Sequence, residues 1–165
     1  MAAFTNIKGG DELQKFLDQL PAKIEANIMR SSLRAGAKVI LDAAKENVPV
    51  EHGDLRASLR ISTRSKRGVV TATVKAGSKK AFYWRFVEFG TAAHGIKPKK
   101  AASLLFGNVF AESVLHPGAR AKPYMRPALD TQAGAAIQAV GEAIKKRLTK
   151  QGINASDTEF TVEKD

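Results

Sequence analysis

A chain of 165 residues, 44% hydrophobic and 26% charged, has the composition of one globular domain large enough to bury its own core. It contains no cysteine, which excludes disulfides and thiolate metal ligands, and no apolar run approaches the roughly 18 residues of a membrane span. The formal net charge of +11, with a pI near 10.0, favours anionic partners: nucleic acid or acidic protein surfaces. That charge is concentrated. From Leu55 to Arg126 there are fifteen Lys and Arg against two acids, Glu88 and Glu112, whereas Asp157, Glu159, Glu163 and Asp165 face only Lys164 in the last fifteen residues.

Residues 1–9 read as an extended lead-in without the basic-then-apolar pattern of a signal peptide, so the chain is expected to be intracellular where it is made. Asp11 can cap a short helix with an apolar stripe of Leu13, Phe16, Leu17 and Leu20. Pro21 suits the first turn of a second helix that should run to about Val48. Its stripe is Ile24, Ile28 or Met29, Leu33, Ala37, Ile40, Ala44 and Val48. Roughly 28 residues at 1.5 Å each make it about 42 Å long. Pro49 stops it by excluding Val48 from the α region.

Val48 to Arg56 is a turn signal, with Gly53 free to take positive φ and Asp54 placed to cap the helical turn that follows. Two strands come next. Leu59, Ile61 and Thr63 alternate with Arg60, Ser62 and Arg64, and Val70, Ala72 and Val74 alternate with polar neighbours. Ser65-Lys66-Arg67-Gly68 joins them, leaving a basic exposed face. Phe82, Tyr83, Trp84, Phe86 and Phe89 crowd one segment, read as a helical turn whose aromatics serve the core. Residues 101–106 and 109–114 suggest a further hairpin around Gly107-Asn108. A last helix over about Arg126–Lys150 carries Ala128, Leu129, Ala133, Ile137, Val140, Ile144 and Leu148, with Gly134 and Gly141 offering close backbone approach. The expected fold is α+β: long N-terminal helices, a small antiparallel sheet with hairpins, and a C-terminal helix packed on the sheet. Residues 1–150 form one domain, and 151–165 form a flexible acidic tail.

Catalytic templates fail. No nucleophile elbow, phosphate loop or dinucleotide loop occurs, and Gly77-Ser78-Lys79-Lys80 lacks the earlier glycine a phosphate loop needs, Thr73 standing there. His52, His94 and His116 fall in separate loops without ligand spacing, so no metal and no cofactor is expected. Glu88 among aromatics is read as a carboxylate paired to Arg85 or another local Arg. The candidate charge surface is Arg60, Arg64, Lys66, Arg67, Lys79, Lys80, Arg85, Lys97, Lys99 and Lys100. It suits docking on acidic protein, or phosphate contact with Phe82, Tyr83 and Trp84 stacking bases, although no known nucleic-acid module is present.

Three ordered phrases carry a resemblance: residues 48–59 (VPVEHGDLRASL), 83–91 (YWRFVEFGT) and 116–129 (HPGARAKPYMRPAL). With the opening Gly9-Gly10-Asp11-Glu12-Leu13, they resemble the tail-component family of long-tailed bacteriophages typified by the Hong Kong lambdoid siphophage, over about residues 7–150. His52-Gly53-Asp54 departs from the family's more usual Thr-Gly-Asn/Asp arrangement. The resemblance implies a non-enzymatic virion protein at the head-proximal end of the tail, acting in the neck as a closed, commonly sixfold ring. Its neighbours would be other neck, tail-terminator, tail-tube or head-closure proteins, and possible contact with packaged DNA follows from the charge. The phrase residues expected to set turns and helix approach are Pro49, Gly53, Leu55, Tyr83, Glu88, Gly90, Thr91, Pro117, Gly118, Pro123 and Pro127, with Thr91 bonding its own backbone.

Overall fold

The computed structural model describes residues 22–99 and 102–150. The expected short helix after Asp11, Pro21 as a helix start, the side chain of Ile24, Lys100 and the acidic tail lie outside the described residues. Helix α1, Ala22–Asn47, buries Ile28, Ser32, Ala37, Leu41 and Ala44, with Val48 just beyond it. The stripe is offset from the expected one: Leu33 and Ile40 are only half-buried, while Ser32 and Leu41 are sealed. The physical reason is that α1 has two partners, the C-terminal helix along its length and a hairpin across its second half.

That hairpin comprises β1, Arg60–Lys66, and β2, Val69–Lys75, paired antiparallel from Arg60↔Lys75 to Lys66↔Val69. Arg67 (φ 52) and Gly68 (φ 79) form a two-residue turn with both residues left-handed, the kind whose twist matches a hairpin. The strands therefore run further than the expected four-residue loop allows. Before β1 lies the short α2, Asp54–Ser58, and after β2 the short α3, Trp84–Phe89. The C-terminal helix, α4, covers Met125–Lys150 and lies along α1. A Cβ on Gly36 would stand 2.5 Å from Val140 Cγ2 and 2.7 Å from the Ala136 carbonyl, so the absence of a side chain there sets the helix spacing. The sequence suggests Gly134 and Gly141 for this role; Gly141 is buried, and a close backbone approach is found at Gly36.

Between α3 and α4 the chain makes a nested excursion. Thr91 bridges Ala119, β3 (His94–Ile96) pairs with β6 (Val114–His116), and β4 (Leu104–Phe106) pairs with β5 (Val109–Ala111) around Gly107-Asn108. The inner hairpin is the expected one; the outer pairing is not foreseen by the sequence pattern. These strands pair chiefly with each other, so residues 91–99 and 102–119 form an arm. The architecture is α+β as expected, with a long N-terminal helix, small antiparallel sheets and a C-terminal helix packed on that assembly.

Candidate assembly site

The three phrases, separated by up to seventy-odd positions, build one hydrophobic cluster. Val48, Leu55 and Leu59 come from the first, and Tyr124 and Ala128 from the third, joined by Leu41, Ala44 and Ala81. Tyr83, Trp84 and Val87 of the second pack against them from the side. Burying such side chains contributes about 1.5–3 kcal/mol for each large one.

Glu88 is nearly sealed, at 5% exposure, without a salt-bridge partner among the described residues. Its Oε2 accepts the backbone N–H groups of Tyr124 (2.8 Å) and Met125 (3.0 Å), and its Oε1 accepts that of Arg126 (3.1 Å). A helix leaves its first four N–H groups unpartnered. Here three go to one carboxylate, and the fourth position is Pro127, which has none. The negative charge also faces the positive end of the α4 dipole. The expected pairing with Arg85 is thus corrected: the Arg85 guanidinium lies over the Trp84 ring at 5.1 Å from its centroid. Burial, and then the Glu88 charge, push the Tyr124 phenol up to about 12 from its ordinary 10.0. The Tyr124 hydroxyl is buried with no hydrogen-bond partner among the described residues.

Glycines and a threonine hold the second and third phrases together. Gly90 ends α3 at φ 72, ψ −174, where a Cβ would come within 2.6 Å of the Ala119 carbonyl and 2.8 Å of the Ala121 nitrogen. Thr91 N–H donates to Ala119 O (2.9 Å), Ala119 N–H donates to Thr91 O (3.1 Å) and to Thr91 Oγ1 (2.8 Å), and Lys122 N–H donates to Val87 O (2.8 Å). Thr91 therefore bonds across to Ala119, not to its own backbone. At Gly118 (φ 90) a Cβ would collide with the Thr91 carbonyl. Pro117 and Pro123 are exposed on either side of this strap.

In the first phrase Gly53 takes φ 80 at the cap position of α2, its carbonyl accepting from Ala57 N–H. Asp54 does not cap by a side-chain bond; it sits in the first turn, because the helix begins one residue earlier than such a cap requires. Ser58 Oγ accepts from Gly77 N–H (3.0 Å), and Arg60 donates to the carbonyls of Ser58 and Gly77, tying the 76–80 turn to β1.

A groove of about 490 Å³ opens where the phrases meet. It is lined by Pro49, Val50, Glu51, Gly53 and Leu55, then Tyr83, Phe86 and Val87, then Ala119, Arg120 and Lys122. Every one of these residues belongs to one of the three phrases. The aromatic segment is only partly core, contrary to expectation: Tyr83 and Trp84 are half-buried, whereas Phe82 (71%), Phe86 (52%) and Phe89 (74%) are exposed, Phe86 on the groove wall. One side of a six-residue helix cannot bury every aromatic it carries, so the segment's composition alone overstates the core.

The candidate cations are not gathered into one surface. Arg60, Arg64 and Lys66, with Lys75, point from one face of the β1–β2 hairpin, and Arg67 occupies its turn. Lys79 and Lys80 are exposed in the next turn, and Lys97 and Lys99 lie on the arm after β3. His94 and His116 are not in separate loops: they are cross-strand partners with ring centroids 5.1 Å apart. His94 Nδ1 lies 3.0 Å from Ala92 O, and His116 Nδ1 accepts from Gly118 N–H. Among the described residues no group of three or more His, Cys, Asp or Glu is arranged to hold a metal ion, and no helix there is long and apolar enough to cross a membrane.

Residues 11–90 match the family described as "Bacteriophage HK97-gp10, putative tail-component". No curated protein and no solved structure matches. The matched span contains the first phrase and all of the second but Thr91, ending at Gly90; the third phrase, which supplies Tyr124 and the far wall of the groove, lies beyond it. Over residues 11–90, just under half of its length, the chain thus matches the HK97-gp10-like family of bacteriophage tail components, and those residues supply two of the groove's three walls.

Proposed function

We propose that this chain is a non-enzymatic structural protein of the virion that completes the head-proximal end of a phage tail and joins it to the head as a ring. The supporting observation is the groove: residues of the three phrases make an open surface that includes the exposed Val50 and Phe86, and large exposed apolar side chains gathered in one place mark contact sites. Its partners in this reading are further copies of itself, sixfold by expectation, and adjacent neck, tail-terminator, tail-tube or head-closure proteins. The basic hairpin face of Arg60, Arg64, Lys66 and Lys75 suits the acidic rim of such a neighbour, where charge complementarity sets register. Electron microscopy of purified particles with antibody labelling tests this: label is expected at the head–tail junction, and its absence there overturns the proposal.

The same hairpin face supports a second reading, in which the chain contacts the packaged DNA. Lys and Arg presented along one strand face can neutralise successive phosphates, and such binding falls steeply with salt. Titration of duplex DNA at rising ionic strength separates the two. Weak binding with a shallow salt slope favours protein docking; tight binding with a steep slope favours DNA.

A further inference from the structure

We infer that the arm of residues 91–99 and 102–119 from one copy seats in the groove of a second copy, and that this contact, repeated head to tail, closes the ring. The inference rests on the assembly reading above and specifies which two surfaces meet. Among the described residues, most of the large apolar side chains left exposed fall on two parts of the chain, the arm and the segments that wall or flank the groove. Val50 and Phe86 line the groove, with Phe82 and Phe89 to either side of Phe86 in the sequence; the arm has Ile96, Leu105, Val109, Phe110 and Leu115, of which Leu105 and Phe110 are cross-strand partners on one face. Only Val69 and Leu129 lie elsewhere.

Each surface is incomplete alone. A two-stranded β pair is marginal in water without a hydrophobic face packed on something, yet Phe110 is 72% and Leu115 76% exposed. The groove, conversely, is concave and open between Val50 and Phe86. The arm leaves and rejoins the body at the Thr91–Ala119 bridge, and Ala119 itself lines the groove, so arm and groove adjoin but present different surfaces. Two different complementary surfaces on one chain generate a heterologous contact, the type that forms closed rings.

Charge chooses the occupant. Copies carrying a net +11 repel one another, so the contact needs local compensation. Lys97 and Lys99 on the arm match Glu51 in the groove, and the arm's Glu112 matches Arg120 and Lys122 in the groove. The signs cross in both directions.

The chain's lack of cysteine makes the test direct. Phe110→Cys and Val50→Cys proteins, mixed and oxidised, are expected to form a mixed disulfide several-fold faster than Phe110→Cys with Val69→Cys, a control thiol on the exposed hairpin. In parallel, Phe110→Asp and Phe86→Asp change exposed positions, and circular dichroism should show both folded. Each alone should lose self-association, while their mixture, with one arm and one groove intact, should form pairs that grow no further. Equal disulfide rates for the two thiol pairs, wild-type assembly by either Asp variant, or a wild-type chain monomeric at millimolar concentration overturns the inference. Label at the head–tail junction alongside a failed crosslink would discard this contact and keep the virion reading; a specific crosslink without such label would do the reverse.

Discussion

Removing the Glu88 carboxylate should detach the start of α4 from the rest of the core. In Glu88→Ala, three backbone N–H groups lose their acceptor. That of Tyr124 is fully buried, and leaving such a donor unpaired costs about 1–3 kcal/mol. Those of Met125 and Arg126 are partly buried and recover water in part. Losing this buried negative charge at a helix N-terminus adds about 0.3–2 kcal/mol. The expected total is about 3 kcal/mol, which at about 2–4 °C per kcal/mol for a chain of this size lowers Tm by about 6–12 °C. Glu88→Gln keeps one acceptor but turns an amide NH2 toward a backbone N–H, and should cost about 2 kcal/mol. Urea and thermal unfolding followed by circular dichroism give these values, and hydrogen exchange at residues 124–126 localises them. Arg85→Ala is the internal control, expected to cost far less because Arg85 lies on Trp84. A Glu88→Ala loss below about 0.5 kcal/mol, or an equal loss in Arg85→Ala, refutes the capping role.

Tyr124→Phe removes a buried hydroxyl that has no hydrogen-bond partner among the described residues, so stability at neutral pH should be unchanged or slightly higher by equilibrium unfolding. Because the folded phenol titrates near 12 and the unfolded one near 10.0, the unfolded chain releases its proton first; wild-type stability should fall between those pH values, and Tyr124→Phe should remove that share of the slope. Gly90→Val places a branched side chain at φ 72 and against the backbone of Ala119 and Ala121; strain of about 1–3 kcal/mol plus that collision should abolish soluble protein and particles, and normal particles would sink the claim. Gly36→Ala gains about 1 kcal/mol of helix propensity but overpacks the crossing against Val140 and the Ala136 carbonyl, at a cost of about 1–3 kcal/mol. A net destabilisation is expected, which Val140→Ala should relieve only in part, since the carbonyl remains; thermal melts of the single and double variants decide it.

The long helices, the β1–β2 hairpin and the Gly107-Asn108 turn were legible because their signals are local: apolar spacing, proline, glycine and alternation. The offset in α1 was not, because Ser32 is buried by what α4 brings to it, and nothing within α1 says so. Glu88 was read against its neighbour in sequence, Arg85, whereas its partners lie thirty-six to thirty-eight positions away. A carboxylate that serves a distant helix start has no short-range signature. The phrases themselves were the best guide: they were read as separate turns, and they form one cluster and one groove. The aromatic segment misled because composition counts rings without saying how many a single helical face can cover. The His94–His116 pairing was hidden by the excursion between them, whose outer strands are three residues each.

The Thr91–Ala119 bridge makes the excursion's length a free dimension of the molecule. Chain enters and leaves the arm at one hydrogen-bonded point, so residues can be added or removed around 97–103 without moving Glu88, Tyr124 or the helices. Lengthening such a loop adds little closure entropy, about 0.6 kcal/mol for each doubling, while each strand residue extends the reach by about 3.3 Å. In the proposed ring, the body would stay fixed while the distance it spans to a neighbour is retuned, which would separate the evolution of the fold from the evolution of the diameter it has to fit.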